Sequence, residues 1–179
     1  MELKGKMVLK EKGDSSSLQL KQKNASIVHA KLSWTKAVDL DLHAFYKTKE
    51  GKFGHISFSN KGGLDKEPFI MLDEDAGVGN TAGDNEENIR ITQLDKLDSV
   101  LIATNIFKFF GFLSKGANFG DYDGKVVVTT DGGDNIEVPL TSKNVGKWCI
   151  IAKLDNTGPL PKLININTVQ KDEPDGKSI

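Results

Sequence analysis

Among 24 lysines and arginines, Arg90 is the sole arginine. Nucleic-acid readers lean on arginine for bidentate contacts to phosphate and guanine, so no nucleic-acid partner is expected. Cysteine is as scarce. Cys149 stands alone, which excludes an internal disulfide and is compatible with cytoplasm. No apolar run reaches the roughly 18 residues that a membrane-crossing helix needs, and the opening MELKGKMVLKEKGD has no stretch that could serve as a signal-peptide core. The expectation is a soluble, non-secreted, cytoplasmic protein whose association with membranes is peripheral at most.

Signatures of several enzyme classes are missing too. No glycine-flanked serine elbow occurs. GDYDGK (120–125) is no Walker sequence, and the glycines of GVGNTAG (77–83) do not match a dinucleotide fingerprint. The three histidines, His29, His43 and His55, have neither a close pair in sequence nor a cysteine partner, so their spacing carries no zinc signature. Cys149 reads as a buried structural thiol within WCIIAKL.

What is present is a pattern of short strands. In 26–34, Val28, Ala30, Leu32 and Trp34 alternate with Ile27, His29, Lys31 and Ser33. In 39–46, Leu40, Leu42, Ala44 and Tyr46 face one way and Asp39, Asp41, His43 and Phe45 the other. GHISFSN (54–60) follows the turn-like KTKEGK and completes a hairpin. Further runs lie at 99–107, 125–130, 135–140, 148–154 and 163–169, the start of the last placed at a sheet edge by Pro159 and Pro161. Strands this short, punctuated this often, predict an all-β fold, a mostly antiparallel β-sandwich with acidic loops at one end. The domain is expected over 15–170, between a flexible segment at 1–14 and a flexible tail at 171–179, both charged and without aromatics. The phenylalanines at 107, 109, 110 and 112 are assigned to the core.

One segment breaks the charge balance. The net charge is -1, yet LDEDAGVGNTAGDNEENI (72–89) carries six carboxylates and no lysine or arginine. Like charges within a Debye length repel, and a cation is the natural partner. Asp73, Asp75 and Asp84 fall at positions 1, 3 and 12 of an EF-hand-sized window, but Val78 stands where that loop needs glycine and no flanking helices are predicted. The segment is not an EF-hand. It still suits a hard cation, because Ca²⁺ takes oxygen ligands in a flexible geometry and Gly77, Gly79 and Gly83 let carbonyls turn inward. Asp39 and Asp41 add candidates: two residues apart on a strand, they project to one face, and aspartate is disfavoured inside strands.

The order Trp34, then DLDLHAF (39–45), FSN (58–60), the acidic stretch from Asp75 to Glu87, and NFGDY (118–122) resembles the TerD family of bacterial tellurium-resistance proteins over roughly 18–154. The resemblance implies a β-sandwich that binds one or two Ca²⁺ ions through acidic loops, in cytoplasmic proteins tied to tellurite and general stress resistance. Its implied ligands are Asp39, Asp41, Asn60, Asp75, Asp84 and Glu86, with backbone oxygen at Gly79. The chain departs from the family at Asn85 and Asn80, where relatives often carry acids. The resulting expectation is a noncatalytic scaffold or sensor whose protein partners include other stress-resistance proteins. Two rival readings use the same carboxylates: an acidic interaction module with incidental metal, and a metal-dependent hydrolase with His43 as its base.

Overall fold

The computed structural model describes residues 5–22, 24–73, 82–107 and 117–179. Within them the chain lays down β1 (Met7–Val8), β2 (Ser15–Ser17), β3 (Val28–Trp34), β4 (Leu40–Thr48), β5 (Phe53–Ile56), β6 (Ile70–Leu72) and β7 (Asn85–Ile91). There follow β8 (Leu97–Ile106), β9 (Ala117–Asn118), β10 (Lys125–Thr130), β11 (Asn135–Pro139), β12 (Val145–Gly146), β13 (Trp148–Asp155) and β14 (Lys162–Gln170). One six-stranded sheet runs β1-β11-β10-β3-β7-β6, the other β2-β14-β13-β8-β4-β5, and β9 pairs with β12. Among these pairings only β1 with β11 is parallel, so the expected all-β, mostly antiparallel sandwich is the fold. No helix among the described residues is long and apolar enough to cross a membrane.

Alternation builds the core. Val28, Ala30, Leu32 and Trp34 of β3 are buried, and Val126 and Val128 of β10 lie beside Leu32 and Ala30 in register. They meet Leu40, Leu42 and Ala44 of β4 and Ile102 of β8 in one apolar cluster between the sheets. Burying each Leu or Ile contributes about 1.5–3 kcal/mol relative to exposure. The indole N–H of Trp34 donates to the Val38 carbonyl at 2.8 Å, so the ring is buried without an orphaned donor.

The outer face of the second sheet departs from the simple alternation. His43, Phe45, Leu101, Ala103, Trp148 and Ile150 are buried there as well, and a register shift between Ile150 and Ala152 resets the parity of β13. Cys149, Ile151 and Ala152 thereby join the main core, while Trp148 and Ile150 form a second cluster with Phe45. Residues within 171–179 touch this face. Pro174 is buried, Ile179 packs on the second cluster, and a Cβ built on Gly176 would meet the Phe53 ring at 3.4 Å.

The described part of 1–14 is likewise tied into the fold. Met7 and Val8 pair with Ile136 and Glu137, Leu9 is in the core, and its carbonyl accepts from the Asn165 side chain at 2.9 Å. Asn165 and Asn167 of β14 point inward, and Asn167 donates to both Asn165 Oδ1 at 2.7 Å and the Pro139 carbonyl at 2.9 Å. These amides satisfy backbone groups that a short edge strand would leave bare. Nor is β14 an edge strand, since it lies between β2 and β13. Pro161 precedes its first paired residue, and the Pro161 carbonyl accepts from the Leu18 N–H at 2.8 Å.

Candidate functional site

At one end of the sandwich β4 and β7 begin and β6 and β8 stop, and the acidic segment runs between β6 and β7. Asp39 precedes β4, and its carbonyl accepts from the Phe107 N–H at 2.9 Å, which ties the start of β4 to the end of β8. Asp41 is half-buried on β4. Glu87 shares the inward face of β7 with Ile89 and Ile91 and aligns with Leu32 of β3. Its carboxylate accepts from the Leu42 N–H across the gap between the sheets. Because β5 pairs only with Ala44–Lys47, that N–H lies beyond the ladder on the β5 side, and Glu87 supplies its acceptor.

Asp73 follows β6. Its Oδ1 accepts from Arg90 Nη2 at 2.7 Å and Nε at 3.1 Å, while its N–H donates to the Asn88 carbonyl at 2.9 Å. The single arginine is thus committed to one acid of the charge-rich segment. Asp41, Asp73 and Glu87, with Lys61 and Phe58, line a pocket of about 70 Å³. The carboxylates come from three separate strands or strand ends, and all offer oxygen donors. Among the described residues no group of three or more His, Cys, Asp or Glu side chains is arranged to hold a metal ion.

The residues implied by the resemblance divide. Asp39 and Asp41 are at this end, and Asp41 lines the pocket. Asp75 and Gly79 lie outside the described residues. Asp84 is exposed just before β7, with the adjacent Gly83 N–H bound to the Thr35 carbonyl at 2.9 Å. Asn60 closes its own tight turn: it exchanges backbone bonds with Ser57 at 3.0 Å each way, and its side chain donates to the His55 carbonyl at 3.0 Å. Glu86 faces the opposite side of β7 from the pocket, 3.5 Å from Lys31 Nζ. Strand alternation puts its neighbour Glu87 in the place expected of it. Sequence reasoning left Asp73 and Glu87 out of the ligand set. The apolar positions Ile89 and Ile91 could have found Glu87, since it shares their parity.

Other acids at this end have structural work. Asp123 accepts from both the N–H and the hydroxyl of Thr35, and these bonds hold its carboxyl below the usual range. Phe58 and Phe107 meet edge-to-face with ring centroids 6.4 Å apart. They are 63% and 42% exposed, so Phe107 is not the core residue expected of it. Cys149 is fully buried, and desolvation pushes its thiol up to about 12, which removes it from thiolate chemistry. The histidines do not converge as three: His29 lies on the first sheet and bonds to Asn88 of the neighbouring strand β7, but His43 and His55 of the second sheet do meet.

No family model matches the chain, and no curated protein matches it. Among solved structures, the crystal structure of the unknown-function protein SAV2460 superimposes with a TM-score of 0.56 at 15% identity, covering 82% of this chain and 92% of that one. At that identity the likeness is one of fold, and it extends over nearly the whole of the other chain.

Proposed function

We propose that the protein is a noncatalytic calcium-binding β-sandwich of the TerD type, a cytoplasmic scaffold or sensor associated with tellurite and general stress resistance. The observation that carries this reading is that Asp41, Asp73 and Glu87 line one pocket at the root of the acidic segment. Asp73 is already paired with Arg90, and a hard divalent cation taking oxygens from Asp41, Asp73 and Glu87 would share that carboxylate and cross-link the two sheets. The Asp75 carboxylate and Gly79 carbonyl, implied by the resemblance, would complete an oxygen set of the size Ca²⁺ takes. Ligands drawn from separate strands suit the longer, more variable distances of about 2.3–2.6 Å that Ca²⁺ accepts, whereas Mg²⁺ demands a tight octahedron.

A ligand bound only by the native state stabilises it by about 2.7 kcal/mol at a hundred times its Kd. For a chain of this size that raises Tm by roughly 5–11 °C. Thermal unfolding in millimolar Ca²⁺ and in excess EDTA reads this directly, and identical midpoints would remove the proposal. The exposed Phe58–Phe107 pair beside the pocket supports a second reading, in which the acidic end docks a basic, apolar protein surface. Calorimetry with Ca²⁺ and no partner separates the two, because an interaction module with incidental metal shows no saturable heat.

A further inference from the structure

The outer face of the second sheet carries a histidine pair that the calcium reading does not use. His55 on β5 stands in register with Phe45, so His43 on β4 is its diagonal neighbour, and His43 Nδ1 lies 2.9 Å from His55 Nε2. Each ring has an oxygen at its other nitrogen. Asn105 Oδ1 is 3.0 Å from His43 Nε2, and Glu173 Oε1 is 3.3 Å from His55 Nδ1. The hydrogen bond made by one ring nitrogen sets the state of the other. With both ring protons on those outer nitrogens, both inner nitrogens offer lone pairs to an ion; with a proton between them the contact is an N–H···N hydrogen bond. Burial lowers the affinity of both rings for a further proton, pushing His43 down to about 4. An oxygen acceptor on the far N–H is also the arrangement that orients metal-ligating histidines.

We propose that His43 Nδ1 and His55 Nε2 form a two-imidazole site for a divalent transition ion of the copper(II) or nickel(II) kind, with water in its remaining positions. At metal–nitrogen bonds of about 2.05 Å, the 2.9 Å separation corresponds to a nitrogen–metal–nitrogen angle of about 90°. That is the angle between adjacent corners of a tetragonal site, which copper(II) and nickel(II) favour with nitrogen and oxygen ligands. A tetrahedral zinc ion would need the nitrogens about 3.3 Å apart and hence a movement of the rings. His55 sits on an edge strand with 28% of its side chain exposed, which gives an ion a way in. Glu173, brought over by residues 171–179, acts as a positioning residue.

The test is titration of the intact protein with Cu²⁺, followed by electron paramagnetic resonance, alongside His55→Gln, Glu173→Gln and His29→Gln. One Cu²⁺ per chain with a two-nitrogen signature is expected, bound more tightly than Zn²⁺ and not displaced by excess Ca²⁺. His55→Gln weakens binding at least tenfold and His29→Gln leaves it unchanged. Glu173→Gln weakens it a few-fold while the two-nitrogen signature persists. Copper binding by His55→Gln equal to that of the parent overturns the proposal. So does ¹⁵N NMR of the metal-free protein showing the proton on His43 Nδ1, donated to His55 Nε2. In that case Asn105 is turned end for end and the pair is an ordinary hydrogen bond.

Discussion

Glu86 and Glu87 are adjacent, equally charged and on opposite faces of one strand, which makes them a sharp test of where the cation binds. Replacing either by Gln removes one unit of charge at nearly the same backbone position. Glu87 lines a pocket of about 70 Å³, so an ion in it lies within about 5 Å of that carboxylate. By Coulomb's law the attraction of a divalent ion for one unit charge at about 5 Å is roughly 1.7 kcal/mol even at the dielectric of water, and larger in a less polar setting. Since 1.4 kcal/mol is tenfold in affinity, Glu87→Gln should weaken Ca²⁺ binding at least tenfold. The Gln side chain keeps an oxygen to accept from the Leu42 N–H, so the fold is preserved and charge is the main variable. Glu86 is paired with Lys31 on the solvent side, with 49% of its side chain exposed, and Glu86→Gln should change affinity less than twofold. Isothermal titration of the parent and both variants decides the matter. Equal losses would mean diffuse attraction to an acidic surface, and a larger loss from Glu86→Gln would refute the assignment of the inward face.

Two further outcomes follow from groups away from that end. Asn165→Leu keeps the side-chain volume but leaves the Leu9 carbonyl without its donor, at a cost of about 1–3 kcal/mol. Amide exchange at Leu9, whose N–H donates to Glu137, should quicken, and unchanged protection there would show that the segment is held by other means. His43 is lowered from 6.5 to about 4 on folding by desolvation. The unfolded chain therefore takes up a proton first, and stability falls as pH drops from about 6.5 to 4, by roughly 3 kcal/mol over the whole window. Urea unfolding in EDTA across that range should show the decline, and His43→Gln should flatten it.

The strands were legible wherever one face meets the core and the other meets water. In β3 the alternation of Val28, Ala30, Leu32 and Trp34 in the sequence is the alternation of burial in the fold. In β4 it misled in part, because Phe45 and His43 are covered by Trp148, and Phe45 also by the cluster that Ile179 packs on, and nothing local announces a cover supplied from more than a hundred residues away. The same distance hides the N-terminal strand, whose Leu9 is anchored by a buried asparagine of β14. Glu86 and Glu87 differ in another way that the sequence does not display: Glu87 lines the pocket and Glu86 faces Lys31. Pooled charge shows where acids gather, but only parity with Ile89 and Ile91 shows which of two neighbours turns inward. The histidine pair was illegible because twelve residues and a hairpin separate its members, and only the register of β4 with β5 makes them neighbours.

The stretch from Met7 to Ser17 joins both sheets, pairing with Ile136 and Glu137 on one side and with Lys162–Ile164 on the other. Synthesis runs at about 5–20 residues per second, so this stretch leaves the ribosome on the order of ten seconds before its first partner strand. It is short, lysine-rich and poor in β-branched residues, and such a segment has little tendency to pair with a stranger while it waits. The strands it finally covers are longer and more apolar, and they emerge late, when their cap is already at hand. The nascent chain thus spends its waiting time with its least adhesive piece exposed, and its stickiest edges are bare only briefly.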